Sequence, residues 1–135
     1  MPADARQVAT TYFDALAQHL LRMWDGGPVR IDGTVEEGDD VSGFRVVHLP
    51  GHAPGQLALF RERDGLALTS DVFSTTNIET GIYGAPRLAH VAFNAETEQA
   101  RASVRKLAAL GRSAAWPRHA EPLTGDAATQ PGRIA

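Results

Sequence analysis

The stretch Val46-Val47-His48-Leu49-Pro50-Gly51-His52-Ala53-Pro54-Gly55-Gln56 decides how this chain is read. An apolar strand runs into a Pro-Gly turn, a histidine sits at the apex, and a second Pro-Gly turns the chain into the apolar run Leu57 to Phe60. Proline fixes φ and glycine reaches backbone conformations closed to other residues, so the two pairs dictate a tight, irregular loop. Such a loop holds one imidazole at the rim of a sheet. Neutral imidazole is the commonest protein metal ligand. The same stretch also reads as a plain turn carrying an incidental polar residue, and the rest of the chain has to decide between the two.

The 135 residues are expected to form one domain, 1–135, with room for a real core. A hydrophobic content of 43% and a charged content of 21% fit a globular, water-soluble chain. The net charge is −3 and no block of Lys or Arg stands out, which leaves a nucleic-acid or membrane-surface role without an electrostatic basis. There is no cysteine, so disulfides are excluded and any metal site must use His, Asp or Glu. No apolar run approaches the roughly 18 residues of a membrane span. The start, Met-Pro-Ala-Asp-Ala-Arg, lacks the apolar core of a signal peptide, and a cytoplasmic location is expected.

Working outward, Val8, Tyr12, Phe13, Leu16, Leu20 and Met23 recur at helical spacing and predict a helix over 5–24, stopped by Asp25-Gly26-Gly27-Pro28. Its His19 is expected at or near the surface. Val29-Arg30-Ile31 reads as a short strand, and Gly33-Thr34-Val35 as a candidate start of another. Glu36-Glu37-Gly38-Asp39-Asp40 is acidic, but lacks the alternating ligand spacing of a calcium loop and reads as a solvated hairpin turn. Phe44 to Leu49 is the strand feeding the central loop, and its His48 is expected to pack rather than ligate. Leu57–Phe60 and Leu66–Thr69 form a hairpin across Arg61–Gly65, apolar on both faces and so expected to be covered on both. Residues 72–93, with His90, show little periodicity and read as a long functional or mobile loop. Asn94 is the expected cap of a helix with the stripe Ala100, Val104, Leu107 and Ala108, ending at Gly111. Ser113–Trp116 is a last strand before Pro117-Arg118-His119-Ala120-Glu121-Pro122, and the tail from Thr124 reads as polar and small, with room for a brief helix.

His52, Asp71 and His119 share a context. Each follows the downstream end of an apolar strand. The strands before His52 and Asp71 are separated by one reversed strand, and the helix after residue 94 can act as a crossover that returns the Trp116 strand in the same direction. All three side chains are then expected at one sheet edge, where two imidazoles and a carboxylate make a zinc or iron environment.

Leu49-Pro50-Gly51-His52-Ala53-Pro54-Gly55-Gln56, Leu68-Thr69-Ser70-Asp71-Val72-Phe73 and Pro117-Arg118-His119-Ala120-Glu121-Pro122 resemble, in order and spacing, three successive motifs of the metallo-β-lactamase superfamily, which includes glyoxalase II and many other metallohydrolases. The resemblance covers about residues 24–126. It implies an α/β fold, a partial αββα sandwich with a mostly antiparallel or mixed sheet and helices on one face. It also implies that His52 binds a first metal, that Asp71 bridges two metals as the catalytic carboxylate, and that His119 binds the second. Zinc is the implied ion, with iron or manganese as alternatives, and a small-molecule ester, thioester, amide or phosphoester the implied substrate.

Four departures stand against that pattern. The superfamily's His-x-His-x-Asp-His cluster is absent from this sequence, so a two-metal site cannot be completed by its residues and metal binding is expected to be weak. Gln56 stands where many relatives carry a second, non-ligating histidine. Ser70 and Arg118 replace the frequent glycines before Asp71 and His119. The chain therefore reads as the C-terminal portion of a metallohydrolase, or alternatively as an inactive remnant serving as a binding or interaction module. A sheet face left uncovered by the missing second sheet predicts a homodimer or a complex with a separate N-terminal half.

Overall fold

Among the described residues, eight short strands and one long helix carry the architecture, and the reasons are local. The computed structural model describes residues 15, 16, 18–20, 22, 23, 26–77 and 80–125, which fall into two compact units, 1–34 and 35–135. In the first unit the helix expected over 5–24 lies largely outside the described residues, and the part that is described is helical, His19 included. The expected strand Val29–Ile31 does not form, nor does one begin at Gly33–Val35. β-Branched residues favour strands only where a neighbouring strand accepts them. Arg30 instead pairs with Asp32 two residues on, at 2.6 Å.

In the second unit the strands are β1 (Asp40–Val41), β2 (Phe44–His48), β3 (Leu57–Arg61), β4 (Leu66–Ser70), β5 (Ser74–Thr76), β6 (Tyr83–Arg87), β7 (Ala114–Pro117) and β8 (Leu123–Thr124). A 3-10 turn, Val91–Phe93, precedes the helix α1, Thr97–Ala108. The acidic stretch 36–40 does turn, with Asp39 N–H donating to Glu36 O at 3.2 Å, but it is not the hairpin turn expected. The reversal comes at Ser42-Gly43, where both residues have positive φ (55° and 83°), as a two-residue type I′ turn requires. Asp40 closes it by accepting from the Gly43 N–H at 3.1 Å.

The main sheet runs β1-β2-β3-β4-β7-β8, and every neighbouring pair is antiparallel except β4 with β7. That parallel pair needs a crossover. It is supplied by everything between residues 71 and 113, including the β5–β6 hairpin inside the stretch read as a loop, and α1. The helix is capped by Glu96 rather than by Asn94: the longer carboxylate accepts from the N–H groups of Glu98 and Gln99, while Asn94 donates to Ala89 O. Its buried stripe is Ala100, Ser103, Val104 and Leu107. At its far end Gly111 turns the chain with φ 64°, and the buried Arg112 donates to Leu107 O at 2.7 Å; burial pushes its guanidinium pKa down.

Cross-strand register decides which face the helix covers. Val47, Ala58, Phe60, Ala67 and Ala115 lie on one face and form the core with Val104, Leu107, Val72 and Phe73. On the other face the row Val46–Leu59–Leu68–Trp116 is buried at its β2 end and open at its β7 end, where Trp116 is 51% exposed. Within the hairpin expected to be covered on both faces, Leu59 and Leu68 on this face are half-buried, and the open end lies beyond it on β7. Among the described residues no helix is long and apolar enough to cross a membrane.

Candidate metal centre

Strands β2 and β4 flank the reversed β3 and so run the same way, and β7 is parallel to β4. His52, Asp71 and His119 therefore all follow strands that end at one edge of the sheet. Each is carried by a loop with its own anchors.

The His52 loop is docked on the N-terminus of α1. Gly51 O accepts from Glu96 N–H at 2.8 Å, His52 O from Ala95 N–H at 3.2 Å, and Pro50 O from the Ser103 hydroxyl at 2.6 Å. Gly51 has φ 132° and lies so close to Ala100 that a Cβ there would sit 2.2 Å from the Ala100 nitrogen. Only glycine fits. The base of the loop is closed by Leu49 N–H donating to Gln56 O at 2.8 Å. His48 does not pack as expected: it is exposed at the strand end, and its Nε2 donates to Pro54 O at 2.8 Å, bracing the loop from outside. Lys106 draws Glu37 to the same corner, and the His48 N–H donates to the Glu37 carboxylate. That backbone donor, and then Lys106, hold the Glu37 pKa below its ordinary value.

Asp71 leaves β4 through Ser70, a non-glycine residue with φ 51°. Val72 and Phe73, both buried, plug the next two positions into the core. The buried Gln56 amide faces this turn, and with its oxygen turned to the donors it accepts from Val72 N–H at 2.6 Å and Asp71 N–H at 3.3 Å. His119 is set by β7: Arg118 N–H donates to Ser70 O at 3.0 Å, the Thr69 hydroxyl to Trp116 O at 3.2 Å, and the Thr76 hydroxyl to His119 O at 3.4 Å.

The outcome is a pair and a separate histidine. His119 Nε2 lies 3.7 Å from Asp71 Oδ1, and Arg118 Nη1 lies 3.7 Å from Asp71 Oδ2. At 3.7 Å the imidazole and carboxylate are too far apart for a hydrogen bond. Donors at ~2.0–2.1 Å from a tetrahedral ion sit about 3.4 Å apart, so the separation is closer to that of neighbouring ligands. His52 is half-buried, and its Nδ1 is buried without a hydrogen-bond partner. Among the described residues no group of three or more His, Asp or Glu is placed to hold a metal ion. A catalytic zinc takes three protein ligands, so the residues present fit part of such a centre and do not complete one. His19 lies in the other unit. His90 accepts from Ala92 N–H and caps the 3-10 turn, a structural role.

Two features of the site were not read from sequence: the Gln56 contact with the Asp71 turn and the Thr76 contact with His119. A polar residue right after a Pro-Gly pair, at the start of an apolar strand, was the available signal for the first. Thr76 carried none.

The family model described as the metallo-beta-lactamase superfamily matches residues 6–119. The probable metallo-hydrolase YqjP of Bacillus subtilis (strain 168) is 31% identical over 86 residues, which is 64% of this chain and 27% of that protein. Among solved structures, the metallo-beta-lactamase family protein TTHA1429 of Thermus thermophilus superposes with a TM-score of 0.58 at 25% identity, over 78% of this chain and 35% of that one. TTHA1623, solved in a di-iron-bound form, gives 0.56 at 25% identity over 78% and 50%. The archaeal superfamily protein ST1585 of Sulfolobus tokodaii gives 0.60 at 15% identity over 95% and 50%, a likeness of fold. The matched stretch thus spans between about a quarter and a half of the length of these relatives.

Proposed function

The chain belongs to the metallo-beta-lactamase superfamily, and from that premise we propose that it carries the C-terminal share of a metallohydrolase site. The share consists of Asp71 and the two histidines His52 and His119. The observation that supports it is the placement of Asp71 and His119 face to face at 3.7 Å by the parallel pairing of β4 with β7. Zinc is the ion proposed; iron, as in the di-iron-bound TTHA1623, and manganese suit the same nitrogen and oxygen donors. When bound, the ion supplies Lewis acidity for hydrolysis of a small-molecule ester, thioester, amide or phosphoester. Within this chain Asp71 contributes the anionic oxygens, and His52 and His119 contribute one neutral nitrogen each. The donors that complete the set come from outside the described residues. A separate N-terminal half would supply them, docked on the open row of Leu59, Leu68 and Trp116; a second copy of this chain, which lacks the same cluster, would cover that row without completing the set.

One observation favours a second reading, an inactive remnant used as a binding module. The Arg118 guanidinium stands 3.7 Å from Asp71 and places a cation on the carboxylate an ion would use. Zinc titration of the dialysed full chain, beside Arg118→Gly, separates the two. The first reading expects weak binding that tightens in Arg118→Gly and disappears when Asp71 and His119 are both replaced by alanine. No binding by either protein, at zinc concentrations up to millimolar, supports the remnant.

A further inference from the structure

We propose that Gln56 is a positioning residue: its side-chain oxygen clamps the Asp71 turn to the His52 loop, so that the two loops hold one fixed distance. The residue is 8% exposed. Its backbone belongs to the His52 loop, accepting from Leu49 N–H at 2.8 Å and donating to Ala53 O at 3.2 Å. Its amide oxygen reaches the other loop and accepts from two consecutive N–H groups, Val72 at 2.6 Å and Asp71 at 3.3 Å. Both donors belong to a turn that leaves β4 through the strained Ser70 and lies outside every strand. Val72 N–H is shared with Thr69 O, to which it also donates at 3.3 Å, and the amide oxygen is the nearer of the two acceptors. Losing the amide oxygen would leave the Asp71 N–H without this acceptor and the Val72 N–H with only its longer bond, and an under-satisfied buried donor destabilises the conformation that buries it. The clamp therefore opposes any backbone rotation that swings the Asp71 carboxylate away from the edge. The geometry of the clamp stands alone; its bearing on metal binding rests on the proposed use of Asp71.

The test is amide hydrogen exchange on the full chain, comparing Gln56→Met, which keeps length and loses the acceptor, with Gln56→Glu, which keeps both. Exchange at Val72 in Gln56→Met should speed up by about tenfold to a hundredfold beyond any change at Leu59 and Leu68. In Gln56→Glu it should stay at or below the wild-type rate, because a carboxylate accepts the same two bonds. Equal acceleration at Val72, Leu59 and Leu68 in Gln56→Met would mean that the residue only fills space, and the clamp would be wrong. If Gln56→Met does not fold, the Glu variant decides: a selective rise at Val72 overturns the proposal and an unchanged rate supports it. Zinc titration of the same proteins is read apart from exchange. A tenfold loss of affinity in Gln56→Met extends the clamp to the metal site, while a wild-type chain that binds no zinc defeats the reading of Asp71 and leaves the exchange result to judge the clamp.

Discussion

The two Pro-Gly pairs of the His52 loop look interchangeable in sequence, and the structure makes them opposites. At Gly51 the backbone adopts φ 132°, and an added Cβ would lie 2.2 Å from Ala100 N, 2.4 Å from its Cα and 2.6 Å from its Cβ. Two of these three atoms are backbone in the first turns of α1, so no side-chain rotation relieves the clash. A methyl group forced into a packed contact costs about 1–3 kcal/mol, and a non-glycine residue in this backbone region about 1–3 kcal/mol more. Relief by pulling the loop off the helix would break the bonds from Glu96 N–H and the Ser103 hydroxyl, which cost about as much again. Gly51→Ala should therefore lose about 4 kcal/mol, against a total of roughly 5–15 kcal/mol for a domain of this size. Thermal unfolding should come on the order of 20 °C earlier. Gly55, by contrast, has nothing within 4 Å of an added Cβ and no positive φ. Gly55→Ala should change stability by less than about 0.5 kcal/mol. Denaturant melts of both variants, recorded by circular dichroism, are the assay. Equal midpoints would refute the close docking of Gly51 on α1 and, with it, the account of how His52 is held.

Two further outcomes follow from the same geometry. Ser70 sits at φ 51°, where an L-residue pays about 1–2 kcal/mol and glycine loses about 0.5–1 kcal/mol of chain entropy, so Ser70→Gly should raise stability by about 0.5 kcal/mol in a denaturant melt. Glu37 is held below its ordinary carboxylate range by the His48 N–H and then by Lys106, so its contribution is complete above the ordinary glutamate pKa and is lost as pH falls through the lowered one. Its side chain is 48% exposed, which limits the effect to a few tenths of a kcal/mol at moderate salt; stability measured from about pH 6 down to about pH 3 should fall less steeply in Glu37→Gln than in wild type.

What was legible in the sequence was whatever local chemistry decides. The Pro-Gly pairs forced a loop at 49–56, the apolar runs after it could only be strands, and the alternation between them fixed the direction of β2 and β4. The mixed α/β sheet with its helix on one face was what the family resemblance of those elements implied. What was not legible depended on partners distant in sequence. Val29–Ile31 has strand-forming side chains, yet propensity cannot show whether a neighbouring strand exists. β6, with Gly84 and Pro86 inside it, reads as loop because its pairing with β5 comes from backbone register rather than from side-chain alternation. The helix cap moved from Asn94 to Glu96 because a side chain two residues nearer the helix reached the free N–H groups, a matter of chain path. Gln56 was the subtlest case: its identity suggested a replaced histidine, and only the position of the Asp71 turn shows what its oxygen does.

The loops that carry His52, Asp71 and His119 have different anchors, and each anchor is a protein group. His52 is held by the N-terminus of α1, the Asp71 turn by Gln56 and the buried pair Val72 and Phe73, and His119 by Ser70 and Thr76. The core itself contains none of the three donors. In small zinc modules the free energy of metal binding is the free energy of folding, because no core exists without the metal. Here the sheet and α1 anchor the loops through protein groups alone, so on the proposed reading an ion would meet backbones that do not depend on it for their placement. The side chains keep more freedom: His119 is 67% exposed and Asp71 24%. On the proposed reading, ordering them, displacing Arg118 and recruiting the completing donors would be the costs that remain. A surface that covered this edge would reduce all three together, by excluding water, by giving Arg118 another carboxylate and by bringing the completing ligands. On the proposed reading, a docking event that covers the open sheet face would therefore also raise metal affinity, so that association and metal binding would rise together.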